Sequence, residues 1–163
     1  MGVEIERKFL VDGSRFRPPA AGVEIRQGWL ARDETRTVRV RLSRPTGGAG
    51  AAAGFLTVKG PGGLVRSEYE YAIPPEDAGR LLDDLCLPGE VAKVRYKVEH
   101  AGHTFEVDVY SGRLAGLVTA EVELDDPSAV VETPPWVTEE VTGDPRWSNA
   151  ALSRAGSPPP DDR

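Results

Sequence analysis

Glu4, Glu6 and Lys8 stand two residues apart in the run Val3-Glu4-Ile5-Glu6-Arg7-Lys8-Phe9-Leu10-Val11. Two carboxylates next to an ammonium suit a site that holds a divalent cation and a polyanion together. The spacing matters because side chains alternate faces in a strand, so all three would line one face with Ile5 opposite. On a helix, residues two apart diverge and the carboxylates could not converge on one ion. A single strand of this kind would also suit a plain solvent-facing surface.

The pattern recurs along the chain. Ionic pairs at the same spacing are Arg39 and Arg41, Glu68 and Glu70, Lys93 and Arg95, Glu106 and Asp108, and Glu121 and Glu123, while Lys59 closes Phe55-Leu56-Thr57-Val58-Lys59. The residues between the charges are mostly Val, Tyr or Leu, as expected of antiparallel strands with one face on a core. Most strands carry one sign, and both signs are well represented across the set. Closing such a sheet into a barrel with its ions inward would put acidic and basic strands across a shared interior. Ionic groups in a dry interior cost several kcal/mol each, so that interior must be wet and hold counter-ions or ligand.

Composition narrows the field. A chain of 163 residues with 39% hydrophobic content suits one domain with a modest core. A formal charge of −6 and an isoelectric point near 5.0 argue against nucleic acid as a partner. The lone Cys86, between Leu85 and Leu87, excludes an internal disulfide and reads as a packed residue in a reducing compartment. No signal peptide or membrane-spanning run is visible, so a cytoplasmic protein with no membrane partner is expected.

Eight strands are expected, at 2–11, 23–31, 37–44, 54–60, 65–73, 91–99, 104–110 and 117–125. That number suits a small closed antiparallel barrel around one small ligand, a β-dominated α+β fold with a few external helices. Thr46–Gly54 reads as a flexible connection, and Gly60-Pro61-Gly62-Gly63 and Ala101-Gly102 as hairpin turns. His100 and His103 flank the second turn, without an evident third metal ligand. Pro74-Pro75-Glu76 opens a helix to about Leu87 whose apolar residues Ala78, Leu81, Leu82 and Leu85 share a face. A shorter helix is expected near Asp126, and Ser148 is expected to cap a last one through Leu152. The domain should span 1–153, with a disordered Pro-rich tail at 154–163.

With these strands in view, the chain resembles the CYTH family, also called triphosphate tunnel metalloenzymes. Glu4-Ile5-Glu6-Arg7-Lys8 matches the family's ExExK signature. Arg26-Gln27-Gly28-Trp29-Leu30, the ionic pairs above, and Arg146-Trp147-Ser148-Asn149 extend the match over about residues 3 to 153. The resemblance implies an eight-stranded tunnel that binds a linear triphosphate with Mg²⁺ or Mn²⁺. It implies that Glu4, Glu6, Glu121 and Glu123 bind metal, with Asp108 either a further ligand or a residue that supports the ligands from behind. Lys8, Arg39, Arg41, Lys59, Lys93 and Arg95 would cradle phosphates, and Glu68, Glu70 and Glu106 would orient those cations. Lys8 and Glu6 would be the catalytic pair.

Short bacterial members commonly hydrolyse inorganic tripolyphosphate, so a metal-dependent triphosphatase acting on a small-molecule substrate is the leading reading. Two others stay open: a module that binds polyphosphate or nucleotide triphosphate without turnover, and a class IV-type adenylate cyclase. Trp29 departs from the family, which often has Tyr there, and an indole cannot titrate as a phenol does. Whether the chain is a monomer or a homodimer, and whether its C-terminal segment closes the tunnel, also stays open.

Overall fold

A computed structural model describes residues 2–48 and 50–160 of the chain. β1 (Gly2–Val11), β2 (Val23–Arg32), β3 (Thr37–Pro45), β4 (Ala53–Lys59), β5 (Val65–Ile73), β6 (Val91–His100), β7 (His103–Tyr110) and β8 (Val118–Glu123) form where the ionic alternation places them. Neighbours are antiparallel in the order β5-β4-β3-β2-β6-β7-β8-β1, and β1 returns to β5 to close the barrel. Register then aligns the charged positions across strands. Glu6 lies opposite Glu123, Lys8 opposite Glu121, Glu4 opposite Arg66, Lys59 opposite Glu68, and Arg95 opposite Asp108. The side-chain period of two carries all of them to the interior.

The outer faces are apolar and need cover. α1 (Pro75–Asp84) opens with Pro75, carries Glu76 and Asp77 in its first turn, and buries Ala78 and Leu82 against Val40 and Leu42. Only glycine fits at position 54, where a Cβ would meet the Ile73 carbonyl at 2.8 Å and Ala78 at 2.9 Å. The helix stops earlier than its apolar pattern suggests. Leu85 leaves helical geometry, the Leu87 amide donates to the Trp29 carbonyl, and Leu85 is exposed. Cys86 packs beside Gly28, and burial pushes its thiol up.

No helix forms near Asp126. Its carboxylate accepts bonds from the Ser128 amide and hydroxyl, a local turn that competes with helical bonding. Residues 125–136 instead form an irregular segment, and Ala129, Val131 and Trp136 pack against the cluster of Phe9, Phe105, Val107 and Val122. An unexpected ninth strand follows, β9 (Val137–Glu140), paired with β1 beyond the point where β5 leaves it. Four residues ending in two carboxylates are too short to show a period.

α2 (Asn149–Arg154) is capped as expected, the Ser148 hydroxyl accepting from the Ala151 amide. It runs two residues past Leu152, and of the Pro-rich tail Asp161, Asp162 and Arg163 lie outside the described residues. At this end the inward positions turn apolar: Leu10, Trp29, Val91, Tyr110 and Leu117 cluster with Trp147 and Leu152. No helix among the described residues is long and apolar enough to cross a membrane.

Leu152 is fully buried in this cluster. Leu152→Ala should lower stability by about 2–5 kcal/mol in urea unfolding. Exposed Leu85→Ala should change it by less than about 0.5 kcal/mol. Equal effects would contradict the role of α2 as part of the core.

Candidate active site

The barrel interior contains a chamber of about 530 Å³ lined by Glu4, Glu6, Glu121 and Glu123 and by Arg39, Arg41, Lys59 and Arg95. A narrow waist of about 60 Å³ shares Arg39, Lys59, Glu121 and Asn149 with the chamber, and also carries Lys8 and Trp29. Beyond it a second cavity of about 340 Å³ opens, sharing Lys8, Thr37, Arg66 and Ser148 with the waist. Glu6 lines all three. Asn149 and Ser148, at the start of α2, line this narrow part of the interior.

Ion pairs organise the walls. Lys59 Nζ reaches Glu4 at 3.0 Å and Glu68 at 3.6 Å, and Arg66 Nε donates to Glu4 at 2.8 Å. Lys8 Nζ lies 3.3 Å from Glu121, which Arg95 also approaches at 3.6 Å. Arg95 donates to both Asp108 oxygens at 2.7 and 2.8 Å and pairs with Glu106 at 2.6 Å. Arg41 pairs with Glu70 at 3.4 Å, and the Thr57 hydroxyl donates to the same carboxylate at 2.8 Å.

Arg39 differs from these. It is buried, its Nε has no hydrogen-bond partner, and no described carboxylate lies within ion-pair distance of it. Burial and the charges of Arg41 and Arg95 hold its guanidinium below the usual range. A buried cation facing other cations across a wet chamber is stabilised by a polyanion. The carboxylates show the opposite imbalance. Burial and the charges of Glu121 and Glu4 push Glu6 well above the usual carboxylate range. Burial raises Glu4 too, but Lys59 and Arg66, with a hydrogen bond from Glu68, bring it down to about 2. Glu121, although buried, is held well below its usual range by Lys8, Arg95 and Lys93.

Most residues singled out from the sequence meet here. Glu68, Glu70 and Glu106 lie against Lys59, Arg41 and Arg95 respectively. Two residues sit elsewhere than expected. Asp108 is fully buried, with Oδ2 accepting from Lys93 and Arg95 and Oδ1 from Arg95, and it does not line the chamber. Lys93 is 3% exposed, points its Nζ at Asp108 at 2.6 Å over the Tyr110 ring, and does not line the chamber. Burial and Arg95 lower Lys93 to about 8 against the pull of Asp108.

Arg66, Lys97 and Asn149 were missed. The first two continue the spacing of two, in Arg66-Glu68-Glu70 and Lys93-Arg95-Lys97, and line the passage. Asn149 is placed by Tyr110, whose hydroxyl donates to its Oδ1 at 3.1 Å. Burial and the charges of Asp108 and Glu121 push that phenol well above its usual range. His103 bonds the Val130 carbonyl and His100 packs on Phe105, with no third ligand beside them among the described residues.

Among the described residues no three carboxylate, histidine or cysteine groups already converge as a cation cage. The donor types nonetheless fit a hard divalent ion. Glu6 and Glu123 face each other across β1 and β8, Glu121 and Glu4 stand one step away on either strand, and all offer oxygen.

Fold and interior together define a tunnel-type antiparallel barrel built for a small polyanion. The chain belongs to the CYTH family: the CYTH domain profile matches residues 2–148. It is 45% identical over 153 residues to an inorganic triphosphatase of Acetivibrio thermocellus, covering 93% of this chain and 94% of that one. It is 36% identical over 164 residues to an inorganic triphosphatase of Nitrosomonas europaea, covering 92% and 96%. The crystal structure of the inorganic triphosphatase NE1496 superposes with a TM-score of 0.63 at 34% identity, over 95% of this chain and 97% of the other.

Asp108→Asn should destabilise the fold by about 3–5 kcal/mol, because it takes from buried Lys93 its ion-pair partner and from Arg95 one of its three carboxylates. Glu123→Gln, at an exposed position with no ion pair among the described residues, should leave stability within about 0.5 kcal/mol. Thermal unfolding measures both, and a silent Asp108→Asn would contradict the anchoring role.

Proposed function

We propose that this chain is a metal-dependent triphosphatase that removes the terminal phosphate of a linear triphosphate, inorganic tripolyphosphate first. The observation that carries this is Arg39, a buried guanidinium with no carboxylate within ion-pair distance among the described residues, beside Arg41 and Arg95 in a chamber of about 530 Å³. The relatives named inorganic triphosphatase, matched over nearly the whole chain, support it. The reading places the protein in a reducing cytoplasm, where Cys86 stays a thiol.

Arg39, Arg41, Arg95 and Lys59 bind the phosphate oxygens, with Glu70, Glu106 and Glu68 holding the last three in position. Planar guanidiniums give two-point contacts that fix the anion's orientation. Lys8, at the waist beside Glu121, neutralises charge at the end of the chain where the anhydride breaks. Glu4, Glu6, Glu121 and Glu123 would hold the divalent cation, Mg²⁺ or Mn²⁺, and Asp108 serves Lys93 and Arg95 instead. Such a cation would supply Lewis acidity toward phosphate oxygens and acidify the attacking water. Hydrolysis adds water to the terminal phosphorus and breaks its bridging P–O bond, with the electron pair leaving on the diphosphate. Positioning and charge neutralisation are the protein's main contributions to such a transfer.

Phosphate release from tripolyphosphate with Mg²⁺ or Mn²⁺ should exceed release from ATP and thiamine triphosphate and should stop with EDTA. Arg39→Ala should lower kcat/KM by about a hundredfold or more. EDTA-resistant turnover would overturn the reading.

Because Glu6 holds its proton above the usual range, cation binding should expel that proton, and affinity should rise with pH. Calorimetry in buffers of different ionisation enthalpy should show proton release in the wild type and a smaller release in Glu6→Gln. Equal release in the two proteins would remove Glu6 from the ligand set.

A further inference from the structure

The cavity beyond the waist is lined by cations that the chamber does not use. The end of β2 supplies Arg32 and the last residue of α2 supplies Arg154, both on its wall. Other basic groups there are committed: Arg36 pairs with Asp33 at 3.3 Å, Arg66 with Glu4 at 2.8 Å, and Lys8 with Glu121 at 3.3 Å. Arg32 donates to the Ser153 hydroxyl, and among the described residues neither Arg32 nor Arg154 has a carboxylate partner. Of the wall's other acids, Asp144 is held by Arg146 and Glu34 is exposed.

The end of α2 is anchored. Arg113 donates to the carbonyls of Leu152, Ser153 and Ala155, and also to those of Gly89 and Glu90. Arg154 therefore issues from a backbone tied on both sides, at a set place beside Arg32. Burial and the charge of Arg154 lower Arg32 below its usual range, so the two guanidiniums feel each other. Two such groups on one wall favour an oxyanion that can bridge them.

We propose that Arg32 and Arg154 form a second phosphate-oxyanion site at the far mouth of the tunnel. It takes the phosphoryl group that lies beyond those held in the chamber, either released orthophosphate or the next unit of a longer linear polyphosphate. The identity of those two sources rests on the triphosphatase reading; the affinity for phosphate does not.

The test compares wild type with the R32Q/R154Q variant, titrating inorganic phosphate by calorimetry and assaying tripolyphosphate and tetrapolyphosphate. Phosphate affinity should fall about tenfold or more in the variant, as expected for lost charged contacts, while KM for tripolyphosphate stays unchanged. A product site would also raise the inhibition constant of orthophosphate and leave the tetrapolyphosphate-to-tripolyphosphate kcat/KM ratio alone. A chain site would lower that ratio instead. Unchanged phosphate affinity together with an unchanged ratio overturns the proposal. Absence of hydrolysis by wild type, with phosphate affinity still lost in the variant, would overturn the triphosphatase reading and leave this site standing. The single Arg154→Gln variant, at an exposed position, carries the comparison if the double variant does not fold.

Discussion

An ionised group drawn inside a protein must meet an opposite charge or keep its water, and the interior of this barrel is arranged around that demand. Arg95 shows it most fully, gripping Asp108 with two nitrogens while reaching Glu106 and Glu121. Glu4 is shared between Lys59 and Arg66. Arg95–Asp108, Arg95–Glu106 and Glu4–Arg66 join neighbouring strands, while Arg95–Glu121 and Glu4–Lys59 each reach over one strand, so the strand register and the charge balance specify one another. A slip of one residue would carry the ions outward and the apolar residues into the tunnel. Arg39 is the place where the protein leaves this balance unfinished, and that is where a ligand's charge has most to contribute.

The outer surface solves the converse problem. Strands with charges inward must show apolar residues outward, and these need cover that a barrel alone does not provide. α1 covers β2, β3 and β4, while residues 125–136 cover β1, β7 and β8. Where cover is missing, on β5 and the start of β1, Val3, Val65, Tyr69 and Tyr71 remain exposed. The narrow waist likewise depends on packing, because Ser148 and Asn149 reach it from a segment held by Trp147 and Leu152.

Much of this was legible in the sequence because strand geometry has a period of two and ions are conspicuous markers of it. All eight barrel strands, the interior face and most of the site residues follow from that alternation. Arg66 and Lys97 obey the same rule and were within its reach. The choice between the two roles left open for Asp108 was not. Its neighbour Glu106 shares its face and its charge, and only depth in the wall separates their roles. Residues 125–136 and β9 were hidden for a different reason: their conformation comes from packing on a finished barrel, and local preference there is weak. Tyr110 escaped as well, since nothing about a strand-end tyrosine announces that it orients Asn149 far along the chain.

The position of β1 has a consequence for how the protein comes to exist. This strand carries the signature carboxylates and is made first among the strands, yet its partners are β5, β8 and β9. The pairing of Arg7 with Glu140 spans 133 positions of sequence. Closing so long a loop is entropically costly and slow, so the barrel's final seam waits until nearly all the chain has been synthesised. Until then β1 can pair with β5, which places Arg66 opposite Glu4, but Glu6 and Lys8 lack the β8 carboxylates that stand opposite them. The site is therefore complete only once β8 has joined β1 and brought Glu121 and Glu123 opposite Lys8 and Glu6.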